Sequence, residues 1–212
     1  MKGFREALIE GAKELGIPLK ERHLDAFSIY KAELRKWNRK VNLTAIEDEE
    51  EIAVKHFLDS LTLTPFIEEG MKVLDIGSGA GFPGLVLKIY EPSLQLLLIE
   101  ASQKKAFFLR HMVRVMGLQG VGVLQGRAEE VAEEYRGRFD LVVSRALGPL
   151  RDFVIMALPY AKPSGLIIAM KGRRGEEETG DGMGVRPEGV KRLSLPFGMG
   201  ERTLLLFKKG AL

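Results

Sequence analysis

Apolar positions in the first third of the chain recur at helical spacing. Phe4, Leu8 and Ala12 stand four residues apart, and Leu15 extends their stripe toward a break at Gly16–Pro18. Leu24, Phe27, Tyr30 and Leu34 make a second stripe, which predicts a helix from about Lys20 to Lys36. Residues 37–52, WNRKVNLTAIEDEEEI, read as a connector in which Thr44 or Asp48 starts a third helix. That helix carries Ile52, His56, Phe57, Asp59 and Leu61. From Gly70 the pattern changes. Short apolar runs at 71–75, 95–99, 121–124, 139–143, 165–170 and 203–207 alternate with helix-like stretches at 83–90, 103–116, 128–135 and 149–160. Such alternation predicts an α/β unit, its mostly parallel sheet covered on both faces. The segment before the last strand, 191–198, is not helical, so an antiparallel hairpin is expected at that edge. Residues 172–190 are rich in glycine and charge and read as a long loop. The expected organisation is a helical extension over 1–68 followed by an α/β domain over 69–212.

Composition narrows the chemistry. A length of 212 residues suits one domain with a small addition. Lys and Arg together number 32 against 29 Asp and Glu, so the net charge of +3 permits an anionic partner without demanding one. There is no cysteine, which excludes disulfides, thiolate metal sites and a cysteine nucleophile, and fits a reducing cytosol. The three histidines, at 23, 56 and 111, are scattered, so no metal site is expected. No apolar stretch approaches the ~20 residues of a membrane span. The first residues mix charges into their apolar positions, unlike a signal peptide, and a soluble cytoplasmic protein is expected.

The stretch VLDIGSGAGFPGLVL, residues 73–87, holds the densest chemistry. Gly79, Gly81 and Gly84 satisfy a dinucleotide spacing, and Pro83 suits the first turn of a helix starting at 82–83. A phosphate-gripping P-loop would need Gly-Lys-Ser/Thr where Phe82, Pro83 and Gly84 stand, so that reading fails. A nicotinamide site would set the Asp75 carboxylate beside a pyrophosphate, which is electrostatically unfavourable. S-adenosylmethionine (SAM) instead carries an ammonium and a sulfonium, and an acid at the strand end suits it; Asp75, Gly77, Gly79 and Gly81 are its candidate loop. Glu100 ends the next strand about 20 residues on, where a carboxylate accepts from ribose hydroxyls in either kind of site. Arg127, Ala128 and Glu129 follow the third strand, either beside an adenine or as the charged start of a helix. Arg145 closes the fourth strand in Ser144-Arg145-Ala146, placed to hold a cofactor carboxylate or a phosphate.

Six blocks in order, WNRKVNLTAI (37–46), HFLDSL (56–61), DIGSGAGFPG (75–84), EASQKKAFFL (100–109), GRAEE (126–130) and SRALGPL (144–150), resemble the ribosomal RNA small-subunit methyltransferase G family (RsmG), also called glucose-inhibited division protein B (GidB). The resemblance runs from Trp37 to Lys171. It implies a Rossmann-like SAM-dependent methyltransferase fold, with a mostly parallel seven-stranded sheet, an antiparallel edge and a small N-terminal helical extension. It further implies methyl transfer from SAM to N7 of a guanine in a 16S ribosomal RNA loop. S-adenosylhomocysteine is the product, and a monomer works on or near the assembled small subunit. By the same resemblance Gly77, Phe82, Ala128, Glu129 and Arg145 contact SAM, and Glu100 holds its ribose. Lys104, Lys105, Lys171, Arg173 and Arg174 face RNA, with Arg145 also near it. One departure is visible: the pattern calls for a further helix after Lys171, where this chain is glycine-rich.

The residues themselves agree with a ring-nitrogen acceptor. Guanine N7 has a free lone pair at neutral pH and needs no general base, so no catalytic residue is assigned. The Asn/Asp-Pro-Pro-Tyr signature of amino-nitrogen methyltransferases is absent; its place reads Ser144-Arg145-Ala146-Leu147. RNA contacts are also offered by Arg35, Lys36, Arg39 and Lys40 and by the basic residues of 104–114, while Trp37 and Phe82 are candidate stacking platforms, Trp37 fitting a core position better. His56 suits a phosphate contact or packing, with Asp59 as its i+3 partner. Two other classes stay open on sequence: a nicotinamide-dependent oxidoreductase, and a non-catalytic RNA-binding protein with SAM as a structural ligand.

Overall fold

The computed structural model describes residues 2–130, 133–145, 148–179 and 186–209. Two long helices come first, α1 (Phe4–Glu14) and α2 (Glu21–Val41). Next are α3 (Glu49–Ile52) and α4 (Asp59–Leu61), joined through a π-helical turn over Ala53–Leu58. Then β1 (Lys72–Ile76), α5 (Gly84–Tyr90), β2 (Gln95–Glu100), α6 (Gln103–Val115), β3 (Val121–Gln125), β4 (Phe139–Arg145), α7 (Leu150–Ala157) and β5 (Ala161–Lys171) alternate. The chain closes with β6 (Gly189–Ser194) and β7 (Glu201–Lys208).

The sheet runs β3-β2-β1-β4-β5-β7-β6. Its first five strands are parallel, and β7 is antiparallel to both β5 and β6, as the edge hairpin expected from sequence requires. The order reverses between β1 and β4, so their carboxyl ends open a crevice at the topological switch point.

Strand periodicity then sorts the polar residues. Val73, Leu96, Leu98, Leu141 and Val143 pack on the face covered by the N-terminal helices, α5 and α6. Leu74, Ile76, Leu97, Ile99 and Val142 pack on the opposite face with α7. Successive side chains alternate faces, so Asp75, Glu100 and Arg145 share the first face with Val73, Leu98 and Val143. The N-terminal helices therefore bury the same side of the sheet on which the charged strand ends sit.

Three local expectations are corrected. The second helix runs on to Val41, so WNRK is helical and not connector. Trp37 and Val41 extend the Leu34 stripe at i+3 and i+7 and pack on the core, which outweighs the intervening charges. It ends at Asn42 in the left-handed region (φ 52°), a conformation Asn tolerates. Of the two starts expected for the next helix, Thr44 and Asp48, the chain uses Asp48, whose Oδ1 accepts from the Glu51 N–H at 2.9 Å. The expected helix at 128–135 is two short 3₁₀ turns, Ala128–Glu130 and Glu133–Tyr135; Val131 and Ala132 lie outside the described residues. Within 172–190 the chain forms one 3₁₀ turn, Gly175–Thr179, and enters β6 at Gly189, while residues 180–185 lie outside the described set. The further helix that the resemblance calls for does not occur among the described residues there.

Phe57, on the π turn, is the hub of the aromatic core. Its ring centroid lies 5.1 Å from Phe4 and from Phe27, and 5.3 Å from Tyr30 and from Phe82. It thus joins α1, α2 and the glycine loop. Phe57→Ala is expected to cost about 3–5 kcal/mol, read from urea unfolding, with the loss shared by both the helical and the sheet signals because the core is common.

Candidate cofactor site at the carboxyl edge of the sheet

Glycine gives the loop after β1 its shape. Gly77, Gly79 and Gly81 all have positive φ, at 70°, 58° and 91°, where other residues are strained. The Gly77 and Ser78 N–H groups donate to the Ile99 carbonyl at 2.9 and 3.1 Å, strapping the loop to the end of β2. Tyr30, from the core stripe of α2, donates its hydroxyl to the Ala80 carbonyl at 2.6 Å. A Cβ on Gly81 would stand 2.3 Å from that hydroxyl, so Gly81 and Tyr30 are fitted to one another.

Asp75 is fully buried at the end of β1. Its Oδ2 accepts the Gly84 N–H at 2.9 Å, at the start of α5, while Oδ1 has no partner. Gly84 completes the glycine spacing for a steric reason: a Cβ there would lie 2.7 Å from Asp75 Oδ2. Burial pushes the carboxyl up from 3.8 to about 7, against the opposing pull of the Gly84 N–H and Arg145. An orphaned, buried carboxylate oxygen is costly unless something cationic or hydrogen-donating meets it. Lys88 does not do so, because its ammonium donates to the Pro92 and Leu94 carbonyls at 2.5 Å.

Glu100 is also buried, and it fastens two loops at once. Its Oε2 accepts from the Gly79 N–H and its Oε1 from the Ser102 N–H, both at 2.8 Å. Each oxygen keeps a second lone pair for a ligand hydroxyl. On either side of it, Ile99 and Ala101 line a cavity of about 230 Å³ that also includes Gly77, Ala128, Glu129 and Met156. Tyr160 donates its hydroxyl to the Ala128 carbonyl, fixing the wall from behind. Gly77, Ala128 and Glu129, expected together from sequence, are thus brought into one slot, mostly apolar along its sides, with Arg127 and Glu129 both lining it. That chemistry fits a nucleoside.

Arg145 lies at the end of β4, mostly buried, over the Phe82 ring at 5.2 Å. Its Nη1 donates to the Lys55 carbonyl at 2.8 Å and reaches Asp59 Oδ2 at 3.3 Å. Asp59, with no exposure, also takes a two-point contact from Arg202 of β7, at 2.6 Å on each oxygen. Asp59 pairs with these two arginines and not with His56, because the imidazole has other partners. Arg145 Nη2 lies 3.3 Å from His56 Nδ1, and Thr44 Oγ1 lies 2.8 Å from Nε2. Since a guanidinium only donates, Nδ1 is the acceptor and the Nε2–H donates to Thr44. Burial, reinforced by Arg145, lowers the His56 pKa from 6.5 to about 3, so the ring is neutral.

Phe82 is buried at 3 % exposure, with Tyr30 and His56 nearly parallel to its ring at 5.2 and 4.6 Å. It is a packing residue in this arrangement, and no face of it is offered to a base. Trp37 is half-buried against Phe108 and His111. Of the lysines and arginines expected to face RNA, Lys104 is exposed and Lys105 half-buried on α6. Lys171 is buried, its ammonium held by the Gly148 carbonyl at 2.8 Å and by Glu178 at 2.9 Å. Arg173 and Arg174 are exposed and lie near Glu201 and Glu177 at 3.4 and 3.9 Å. Ala146 and Leu147 of the SRALGPL block lie outside the described residues. Sequence reasoning missed Arg202 altogether. A lone arginine in a terminal strand carries no periodic signal that would mark it as buried.

A doubly covered sheet in this order, with a glycine loop at its switch point, is the architecture of SAM-dependent methyltransferases. The fold agrees with that of a SAM-dependent methyltransferase from Aquifex aeolicus (TM-score 0.58, 19 % identity, covering 78 % of this chain and 96 % of that one). A family model described as rRNA small subunit methyltransferase G matches residues 23–203. The chain is 43 % identical over 208 residues to ribosomal RNA small subunit methyltransferase G of Geobacter metallireducens, covering 95 % of this chain and 94 % of the other. It is 47 % identical over 178 residues to the protein of that name in Geobacter sp. strain M21, covering 84 % and 82 %. The chain belongs to the ribosomal RNA small subunit methyltransferase G family, and its cofactor is SAM.

Two outcomes follow from the buried charges. Asp59→Ala strands two guanidiniums and is expected to destabilise by about 3–5 kcal/mol, with Asp59→Asn milder, measured by urea unfolding. The pH dependence has two opposed parts in the ligand-free protein. Asp75, raised to about 7, contributes stability that is full below its unfolded value of 3.8 and is lost as pH rises through 7. His56, lowered to about 3, contributes stability present above 6.5 and lost as pH falls toward 3. Asp75→Asn should therefore gain on the wild type as pH is raised through 7; equal differences on both sides of neutrality would contradict the assignment.

Proposed function

We propose that this enzyme transfers the SAM methyl group to N7 of a guanine in 16S ribosomal RNA, and that the cofactor lies along the edge from Asp75 to Arg145. Bound there, SAM supplies a methyl group on an electron-poor sulfonium. Asp75 Oδ1 would meet its cationic part, Glu100 its ribose, and the slot at Ala128–Glu129 its base. Gly77, Gly79 and Gly81 let the backbone pass close, and Arg145, at the end of β4, would hold the cofactor carboxylate or a phosphate.

One observation carries the choice of acceptor. Among the described residues at the end of β4 no side chain is free to take a proton: His56 is neutral, but Arg145 and Thr44 occupy both its nitrogens. Asp75 is enclosed and is assigned to the cofactor. A guanine N7 asks for no base, so holding it in line with the methyl suffices, and well-oriented reactants gain effective molarities of roughly 10⁵ M or more. An exocyclic amine would need a positioned acceptor for its proton.

On this reading residues 1–68 are an extension that completes the site through Tyr30, His56 and Asp59, and the enzyme works as a cytoplasmic monomer on the small subunit or near it. Among the described residues no helix is long and apolar enough to cross a membrane. Incubation with labelled SAM and small subunits lacking the modification, alongside naked 16S RNA, is expected to label one guanine, mapped as an N7 adduct. A label on a different atom or in a different RNA would overturn the assignment. SAM affinity should also rise with pH through about 7 as Asp75 ionises and level off above it. In Asp75→Asn affinity is expected about tenfold or more weaker and independent of pH over that range, measured by calorimetry.

A further inference from the structure

The groove between α2 and α6 is not used by the site described above. It encloses about 490 Å³, with Trp37 and Val41 on one wall and the outer stripe of α6 on the other. That stripe, Lys104, Phe107, His111 and Arg114, recurs at three and four residues, so it lies along one side of the helix. The side that packs on the sheet is a different one, formed by Ala106, Leu109 and Met112. Phe107 is 53 % exposed, a large apolar ring with the Arg110 guanidinium 6.0 Å from its centre. A core explanation does not apply to a phenylalanine that far out of the core.

The charged residues that line the groove, Lys104, Arg110 and Arg114, are of one sign. All three are exposed, and none has an ion pair among the described residues. On α2, Lys36 and Lys40, each the residue before a groove-lining one (Trp37, Val41), stand one turn apart and are exposed too. The acid beside it, Glu33, is already engaged by His111 at 2.5 Å and by Lys36 at 3.4 Å. An aromatic ring between rows of cations is what unpaired bases on a phosphate chain require: rings stack on base faces, and cations follow the backbone. A duplex offers no base faces to such a ring. From Lys104 to Arg114 the stripe is about 15 Å long. Its Lys104 end adjoins the loop after Glu100, so a strand lying in the groove leads toward the cofactor edge.

We infer that this groove is a docking site for a single-stranded segment of the substrate RNA near the target nucleotide, with Phe107 as the base-stacking ring and Lys104, Arg110 and Arg114 as phosphate contacts. The inference rests on the RNA methyl-transfer reading above. Its test uses the full-length enzyme with undermethylated small subunits and labelled SAM. Phe107→Ala is expected to raise the KM for subunits roughly tenfold, with kcat within about twofold and SAM affinity unchanged. Phe107→Trp should restore the wild-type KM. Arg110→Ala with Arg114→Ala should flatten the salt dependence of RNA binding by about one logarithmic slope unit per lost phosphate contact. An unchanged KM and salt slope in these variants would overturn the inference. So would photocrosslinking of a ribosomal protein, or of a second copy of the chain, to the groove in place of RNA. If the wild type transfers no methyl group to any RNA, the functional reading fails instead, and the two failures are told apart.

Discussion

Asp59 has no contact with solvent, and it accepts from two guanidiniums, Arg145 at the end of β4 and Arg202 on β7. These three residues come from the helical extension, the middle of the sheet and its antiparallel edge. Removing Asp59 would leave both guanidiniums without compensation in the interior, so the one carboxylate holds the three segments in one relative placement. The π turn beside Asp59 adds to this: its Lys55 carbonyl accepts from Arg145, and its His56 ring takes another of that guanidinium's contacts. π-helical turns recur at functional sites for this kind of reason, because the wider spiral frees a carbonyl for an outside donor.

The position of Arg145 decides the polarity of the edge. Asp75, Glu100 and Arg145 share one face of the sheet, where the N-terminal helices exclude water. In that setting each charge is felt strongly by the others, and the carboxyl of Asp75 is protonated more readily than in water. On the reading proposed above, a cationic ligand at the unpartnered oxygen of Asp75 would reverse this preference and couple cofactor uptake to proton release. Glu100 has a different part: it fastens the glycine loop and the start of α6 to one carboxylate, and so sets the width of the slot beside it.

Much of this was legible in the chain. The stripes at Phe4–Leu15 and Leu24–Leu34, the alternation after Gly70 and the non-helical segment before the last strand predicted the architecture, because burial of apolar faces has a fixed period in each element. The region after β3 was misread, since EEVAEEY has charge suited to a helix start but too few apolar positions to hold one on the core. Phe82 was read as a candidate stacking platform, because sequence shows an aromatic residue beside glycines and not the rings of Tyr30 and His56 that cover it. Lys171 was read as facing RNA, though its ammonium is spent on Gly148 and Glu178.

By itself the sequence determined the elements, the order in which they alternate, and the acid-and-glycine loop, because local periodicity and the left-handed backbone of glycine are properties of a few adjacent residues. Only the tertiary structure decided which charges meet. Asp59 lies 86 residues from Arg145 and 143 from Arg202, and no local pattern announces a pairing at that range. The same holds for Tyr30 and Ala80, joined across 50 residues, and for Phe107, left outside the core while its neighbours Ala106 and Phe108 enter it. Burial and pairing depend on what the rest of the chain brings to a side chain, and that is set only when the sheet and its helices have closed.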